Sequence, residues 1–77
     1  MVELNITKAK DLLKQVQKKI SVMEFGTVKF KGHMNISRAD MEILEIRLET
    51  AIDYKYYNPN EYIPDHFCNS VMETVYK

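Results

Sequence analysis

The longest regular pattern of apolar and polar positions covers residues 36–57, and it predicts the central helix of the chain. Ser37 is an N-cap residue type, and Asp40 three residues later is placed to return the hydrogen bond in a weak capping box. Ile36 and Met41 occupy the two positions of a hydrophobic staple. Part of the segment also alternates apolar and charged residues, as a half-buried strand does. Because the segment is longer than an ordinary strand and rich in helix formers, we favour a helix.

This predicted helix carries apolar residues on two faces. The first face consists of Met41, Leu44, Leu48, Ala51 and Ile52. The second face, roughly opposite, consists of Ile43, Ile46, Thr50, Tyr54 and Tyr57. A seam between them is acidic and consists of Glu42, Glu45, Glu49 and Asp53. A helix of this kind needs cover on two sides, and we expect the second face to contact another chain, most simply a second copy. The alternative is cover from the C-terminal part of the same chain.

A second helical period predicts a helix from residue 8 to about residue 23. Its apolar face consists of Ala9, Leu12, Leu13, Val16, Ile20 and Met23. On the other side Lys10, Lys14 and Lys18 follow one another at i+4 spacing. A lysine strip of this kind is most often a solvated face, and a patch that contacts anions or nucleic acid is the alternative.

The remaining elements are short. Residues 2–6 alternate apolar and polar positions, but a strand of that length is not stable unpaired. Residues 27–31, TVKFK, have the composition of a strand that ends at Gly32. Their partner is either residues 2–6 or, in a hairpin, residues 20–25. Helical spacing of apolar residues predicts a last helix over residues 65–76.

Together these elements predict a mainly α fold in a single domain of residues 1–77. We expect a small bundle of two long antiparallel helices and one short C-terminal helix, with a minor extended or β segment near residues 27–31. Residues 5–9, NITKA, and 35–39, NISRA, are nearly the same. We interpret them as a recurring helix start, because the similarity does not continue downstream.

Charge adds one constraint to this picture. The chain has 11 basic and 11 acidic residues and a formal net charge of zero, so no global field draws it to nucleic acid or to an anionic membrane. The first half is basic and the second half acidic. We therefore expect the lysine strip of the first helix to pair with the acidic seam of the central helix, within the chain or across a dimer. Exposed pairs contribute about 0 to 1 kcal/mol each.

Candidate catalytic and metal chemistry is weak. Asp65, His66, Cys68 and the distant His33 are metal-ligand types, but no pair of them has ligand spacing, and Cys68 lies on the apolar side of its predicted helix. We expect a buried thiol, no metal, no cofactor and no catalytic residues. A single cysteine excludes an intrachain disulfide. With no apolar run long enough for a signal peptide or a membrane span, the sequence favours a soluble protein of a reducing cytoplasm.

Tyrosines are concentrated after the central helix, at Tyr54, Tyr56, Tyr57 and Tyr62. Such a cluster either forms a recognition surface or seals a small core. We predict a non-enzymatic accessory or regulatory protein of the inhibitor or adaptor type, of the kind that bacteria and their phages produce. Its predicted partner site consists of Ile43, Ile46, Tyr54, Tyr57 and Tyr62. The alternative is a nucleic-acid-associated regulator that uses Lys10, Lys14, Lys18 and the nearby TVKFKG segment.

Overall fold

The computed structural model describes residues 2–23, 26–57 and 66–76. In chain order the elements are β1 (Val2–Glu3), α1 (Ile6–Val22), β2 (Thr27–Phe30), β3 (His33–Ser37), α2 (Arg38–Tyr54), β4 (Tyr56–Tyr57) and α3 (His66–Glu73). The strands form two antiparallel two-stranded sheets, one of β1 with β4 and one of β2 with β3. The described fold therefore combines three helices with two small sheets.

The expected helical bundle with one minor extended segment near residues 27–31 is wrong. β2 falls in that segment, but it pairs with β3 in a hairpin, and not with residues 2–6 or 20–25. Lys31 and Gly32 form the two-residue connection, and both have positive φ, 49° and 82°. This geometry matches the twist of antiparallel strands, so the turn favours a hairpin. The sequence interpretation missed β3 because it assigned Ile36 to the start of the central helix.

The hairpin is irregular in β3. Val28 pairs with Ile36 and Phe30 with His33, so β3 has one residue more than β2 between these two pairs. Asn35 lies in this interval with a φ of 57°. Asparagine tolerates the left-handed region better than most residues, and one extra residue of this kind bends a strand and increases its twist.

The segment at the N-terminus joins the ends of two helices. β1 pairs with β4, directly after α2, and the amide of Leu4 donates to the carbonyl of Lys55 at 3.3 Å. The amide of Asn5 donates to the carbonyl of Val75 at 2.8 Å, and Leu4 also bridges to Tyr76. Lys55 has a φ of 64°, which ends α2 and reverses the chain into β4. Of the extended segment predicted at residues 2–6, only Val2–Glu3 is strand and Leu4 forms a bridge, with partners other than residues 27–31. Asn5 and Ile6 already belong to the start of α1.

Both similar segments, NITKA and NISRA, start helices, but different residues cap them. Asn5 Oδ1 accepts from the amide of Lys8 at 3.1 Å and caps α1. Ser37 Oγ accepts from the amide of Asp40 at 3.2 Å and caps α2. The Asp40 carboxylate accepts from the Ser37 hydroxyl at 3.0 Å, and not from the backbone amide that a capping box uses. The second helix therefore begins two residues later within the shared segment.

One apolar core joins α1, α2, α3 and the hairpin. Its members include buried residues of α1, β2, β3, α2 and α3, among them Ala9, Leu12, Val16, Phe30, Ile36, Met41, Leu44, Leu48, Phe67, Cys68, Val71 and Met72. The first face of α2 lies at the centre of this core, as the sequence predicted. Phe67 connects α3 to the hairpin, with its ring centroid 6.4 Å from that of Phe30 and 5.2 Å from that of His33.

Candidate functional site

The second face of α2 is open. We call Ile43, Ile46 and Tyr54 the α2 strip; their exposed fractions are 42%, 60% and 72%. Thr50, which lies among them on the helix, is exposed as well. Leu48, only two residues from Ile46, has no exposed area. From Ile43 to Tyr54 the strip extends about 16 Å at the helical rise of 1.5 Å per residue. Large apolar side chains therefore line one side of a helix whose other side is the core.

The position of α3 explains why the strip is open. Arg47 lies at the edge between the strip and the core and is only 7% exposed. Its Nη1 donates to Asn69 Oδ1 of α3 at 3.5 Å. α3 has eight residues against seventeen in α2, so it is about half as long. It covers the edge at Arg47 and leaves Ile46 and Tyr54 exposed.

The five residues of the predicted partner site have different outcomes. Ile43, Ile46 and Tyr54 lie together on one exposed face. Tyr57 has its backbone in β4, but its side chain lies outside the described residues, and so does all of Tyr62.

Acidic residues border the α2 strip along one edge. Glu42, Glu49 and Asp53 are exposed there. Glu42 Oε1 lies 3.1 Å from Arg38 Nε in an exposed i,i+4 pair, which is worth only a few tenths of a kcal/mol. Within the described residues, no ion pair connects this acidic edge to the lysine strip of α1. The expected pairing within the chain therefore does not form there, and the acidic edge is available to a partner.

A groove between α1 and β2 is a second candidate site. Its volume is about 440 Å³, and we call the four lysines that line it, Lys18, Lys19, Lys29 and Lys31, the lysine groove. Lys31 Nζ lies 6.0 Å from the centroid of the Phe30 ring, which also lines the groove. No acid occurs among the described lining residues. Two basic segments that are separate in the sequence thus meet on one surface.

The lysine groove differs from the lysine strip that the sequence predicted. Lys10 and Lys14 are exposed on α1 but do not line the groove, whereas Lys18 does. Lys19 was not predicted to belong to a site. Lys29 and Lys31 were predicted only as part of the TVKFKG segment near the lysine strip. Because Lys29 and Lys31 alternate in a predicted strand, the sequence indicated that they share a face. It did not indicate that this face lies next to α1.

The described residues contain no other group with evident chemistry. They include no set of three His, Cys, Asp or Glu side chains that could hold a metal ion. Cys68 is buried in the core, and Asp65 lies outside the described residues. Burial raises the pKa of the Tyr76 hydroxyl above its usual value of 10.0, with a further contribution from Glu73. Within the same part of the chain, no helix has both the length and the apolar character that crossing a membrane requires.

Comparisons of the chain with protein-family models, with curated proteins and with solved structures gave no match.

Proposed function

We propose that this protein is a non-enzymatic accessory or regulatory protein, of the inhibitor or adaptor type, that binds another protein through the α2 strip. The observation that supports this proposal is the exposure of Ile43, Ile46 and Tyr54 on a helix whose opposite face is buried. Contiguous exposed apolar patches larger than roughly a few hundred Å² are uncommon on monomers and are typical of interaction sites. We propose the cytoplasm as its compartment, because a single, buried cysteine suits a reducing environment.

The strip has the composition of an interface centre. Tyrosine is among the residues that contribute most to binding at interfaces, because its ring buries a large area with little loss of side-chain freedom. Ile46 is more than half exposed, and complete burial of an isoleucine contributes about 1.5 to 3 kcal/mol. Burial of Ile46 and Tyr54 together would therefore supply a substantial part of the free energy of a micromolar complex.

The acidic edge bears on the choice of partner. In a two-fold dimer with antiparallel α2 helices, the same edge of each helix faces its own copy. Glu42, Glu49 and Asp53 would then oppose one another, and like charges at such positions destabilise a helix pair. We therefore favour a different protein over a second copy, and we propose that its contact surface combines an apolar stripe with basic residues. The basic residues of such a partner are opposite in charge to the acidic edge of the strip.

Ile46→Glu, with Met34→Glu as its matched control, tests the proposal. Both residues are exposed, and both substitutions place a carboxylate at an apolar position. Met34 lies in β3 and is not part of the α2 strip. We expect both variants to fold, and we expect only Ile46→Glu to lose the proteins that co-purify with the tagged wild-type chain from its own host. Equal recovery of the same proteins with both variants would exclude the strip as the contact.

Sedimentation velocity of the wild-type protein at high micromolar concentration distinguishes the two kinds of partner. A monomer is the expected result. A dimer that Ile46→Glu dissociates, and that Met34→Glu leaves intact, would keep the α2 strip as the site and make a second copy its occupant.

The alternative function, contact with nucleic acid, is supported by the four lysines that line one groove. Its residues are those of the lysine groove, and not the complete strip Lys10, Lys14 and Lys18.

A further inference from the structure

We propose that the lysine groove binds the phosphate backbone of nucleic acid, at a site separate from the α2 strip. The starting observation is the convergence of four lysines from two elements: Lys18 and Lys19 come from α1, and Lys29 and Lys31 from β2 and the turn after it. Like charges brought together in this way repel one another. Among the described residues of the lining no acid offsets that repulsion, so an anionic ligand would gain from all four charges.

The type of cation indicates how such a ligand is bound. The described lining has four lysines and no arginine. Lysine acts on phosphate as a compact point charge, whereas arginine adds the bidentate geometry that reads guanine edges. Contacts to phosphate position a protein on nucleic acid without reading its sequence. The groove is therefore suited to binding that does not depend on sequence.

The exposure of the lysines indicates a polymer. Lys18, Lys29 and Lys31 are exposed, and Lys19 is half-buried. A site for a single small anion encloses it among buried donors, whereas this groove is open and its charges are distributed along two elements. Each strand of a duplex carries one phosphate for about every 3.4 Å of helix axis, so several phosphates can meet several lysines at once.

The floor of the groove holds the charges in place. Phe30 is buried in the core and also lines the groove, and the Lys31 ammonium lies 6.0 Å from its ring centroid. Long lysine side chains extend over apolar surface and keep the charged end in water. The weak attraction between the ammonium and the ring favours the same orientation.

The zero net charge of the chain is compatible with this site. At about 0.1 M salt, interactions between exposed charges more than about 10 Å apart are largely screened. A ligand in the groove therefore responds mainly to the nearest charges. The same argument predicts modest affinity, because only four cations take part.

Salt dependence gives the expected size of the effect. If all four lysines contact phosphates of a duplex, the slope of log K against log salt is about −3.6, from about −0.9 per contact. Affinity then falls about 150-fold between about 50 and 200 mM salt. For a single strand, at about −0.7 per contact, the slope is about −2.8 and the fall is about 50-fold.

The experiment compares two double variants by fluorescence anisotropy with labelled duplex and single-stranded oligonucleotides. Lys29→Gln with Lys31→Gln removes two charges from the groove, and Lys10→Gln with Lys14→Gln removes two charges from the exposed side of α1 outside it. The four substituted lysines are all exposed, so both variants should fold, as circular dichroism would verify. We expect the groove variant to lose about half of the wild-type salt slope and the control to keep it.

Three binding results would overturn the proposal. The first is no binding of either oligonucleotide at low salt, and the second is equal weakening in the two variants, which would indicate diffuse attraction to the chain. The third is preference for vesicles of anionic lipid or for inorganic polyphosphate over oligonucleotides.

An independent measurement is the amide chemical shifts of the wild-type protein with oligonucleotide. Changes should concentrate at the four groove lysines, and changes centred on Lys10 and Lys14 would contradict the site. Ile46→Glu should bind oligonucleotide as the wild type does, so this test and that of the α2 strip fail independently.

Discussion

Two substitutions on opposite faces of α2 should have very different effects on stability. Ile46 is 60% exposed and Leu48 is fully buried, although only Arg47 separates them. Ile46→Ala and Leu48→Ala remove similar amounts of apolar side chain from one helix. The comparison therefore holds the element and the chemistry nearly constant and changes only the environment.

The magnitudes follow from burial. Leu48→Ala loses the transfer free energy of a fully buried side chain and leaves a cavity, which together cost about 2 to 5 kcal/mol. Ile46 has less than half of its surface buried, so its truncation loses about 1 kcal/mol at most. The higher helix propensity of alanine offsets a few tenths of that. A 77-residue domain has a total stability on the order of 4 to 12 kcal/mol, so Leu48→Ala removes a large fraction.

Thermal unfolding followed by circular dichroism measures both effects. For a domain of this size, a loss of 1 kcal/mol lowers Tm by about 4 to 8 °C. We expect Ile46→Ala to lower Tm by a few degrees at most, and Leu48→Ala to lower it by about 10 °C or more. Similar losses in the two variants would show that Ile46 is buried in the folded chain, and the α2 strip would then not be an open surface.

Three further predictions concern local structure. Gly32→Ala should destabilise the protein by about 1 to 2 kcal/mol, because φ is 82° at this position. An added Cβ would meet no atom within 4 Å, so backbone strain is the only cost. An unchanged denaturation midpoint would contradict the hairpin turn. Ser37→Ala should cost about 0.5 to 2 kcal/mol, because it removes the cap that accepts from the Asp40 amide. Ser37→Thr, which keeps a hydroxyl to accept from that amide and to donate to the Asp40 carboxylate, should keep most of the wild-type stability in the same assay. The hydroxyl of Tyr76 should titrate at a pH above its usual pKa of 10.0, because burial raises that pKa. Tyrosine absorbance followed during a pH titration measures this. Its contribution to stability is complete below pH 10.0 and is lost as the pH rises through the folded-state pKa.

The helices were predictable because their signals are local. The apolar period of α2 and its Ser37 cap lie within one segment, and so do the Asn5 cap and the period of α1. The C-terminal helix was predicted over residues 65–76, and the described helix is the shorter His66–Glu73. The sequence also predicted that Ile43, Ile46, Thr50 and Tyr54 share the second face of α2, because helical geometry determines which side chains share a face. It wrongly placed Tyr57 on that face, because α2 ends at Tyr54 and Tyr57 belongs to β4.

Sequence patterns indicated two of the extended segments, but the pairing of the strands was not predictable, because it depends on residues far apart or on weak turn signals. Lys31-Gly32 is not one of the strong hairpin dipeptides, although its glycine supplies the positive φ that the turn needs. Ile36 belongs both to β3 and to the staple before α2, and the helical interpretation used it first. β4 has two residues, which is too short for any periodicity.

The lysine groove illustrates the same limit for a site. The position of Lys18 on the outer side of α1 follows from helical spacing, but its proximity to Lys29 and Lys31 depends on how the hairpin packs against α1. No residue in the sequence specifies that packing by itself. The exposure of Ile46 likewise depends on where α3 lies, which only the folded chain determines.

Site-specific photo-crosslinking in the native host tests the central claim, contact of the α2 strip with another protein, most directly. A photoreactive amino acid replaces Ile46 in one variant and Met34, which is similarly exposed but lies outside the strip, in the other. We predict a discrete adduct with a different protein from position 46 and none from position 34. No adduct at position 46, or the same adducts at both positions, would contradict the account.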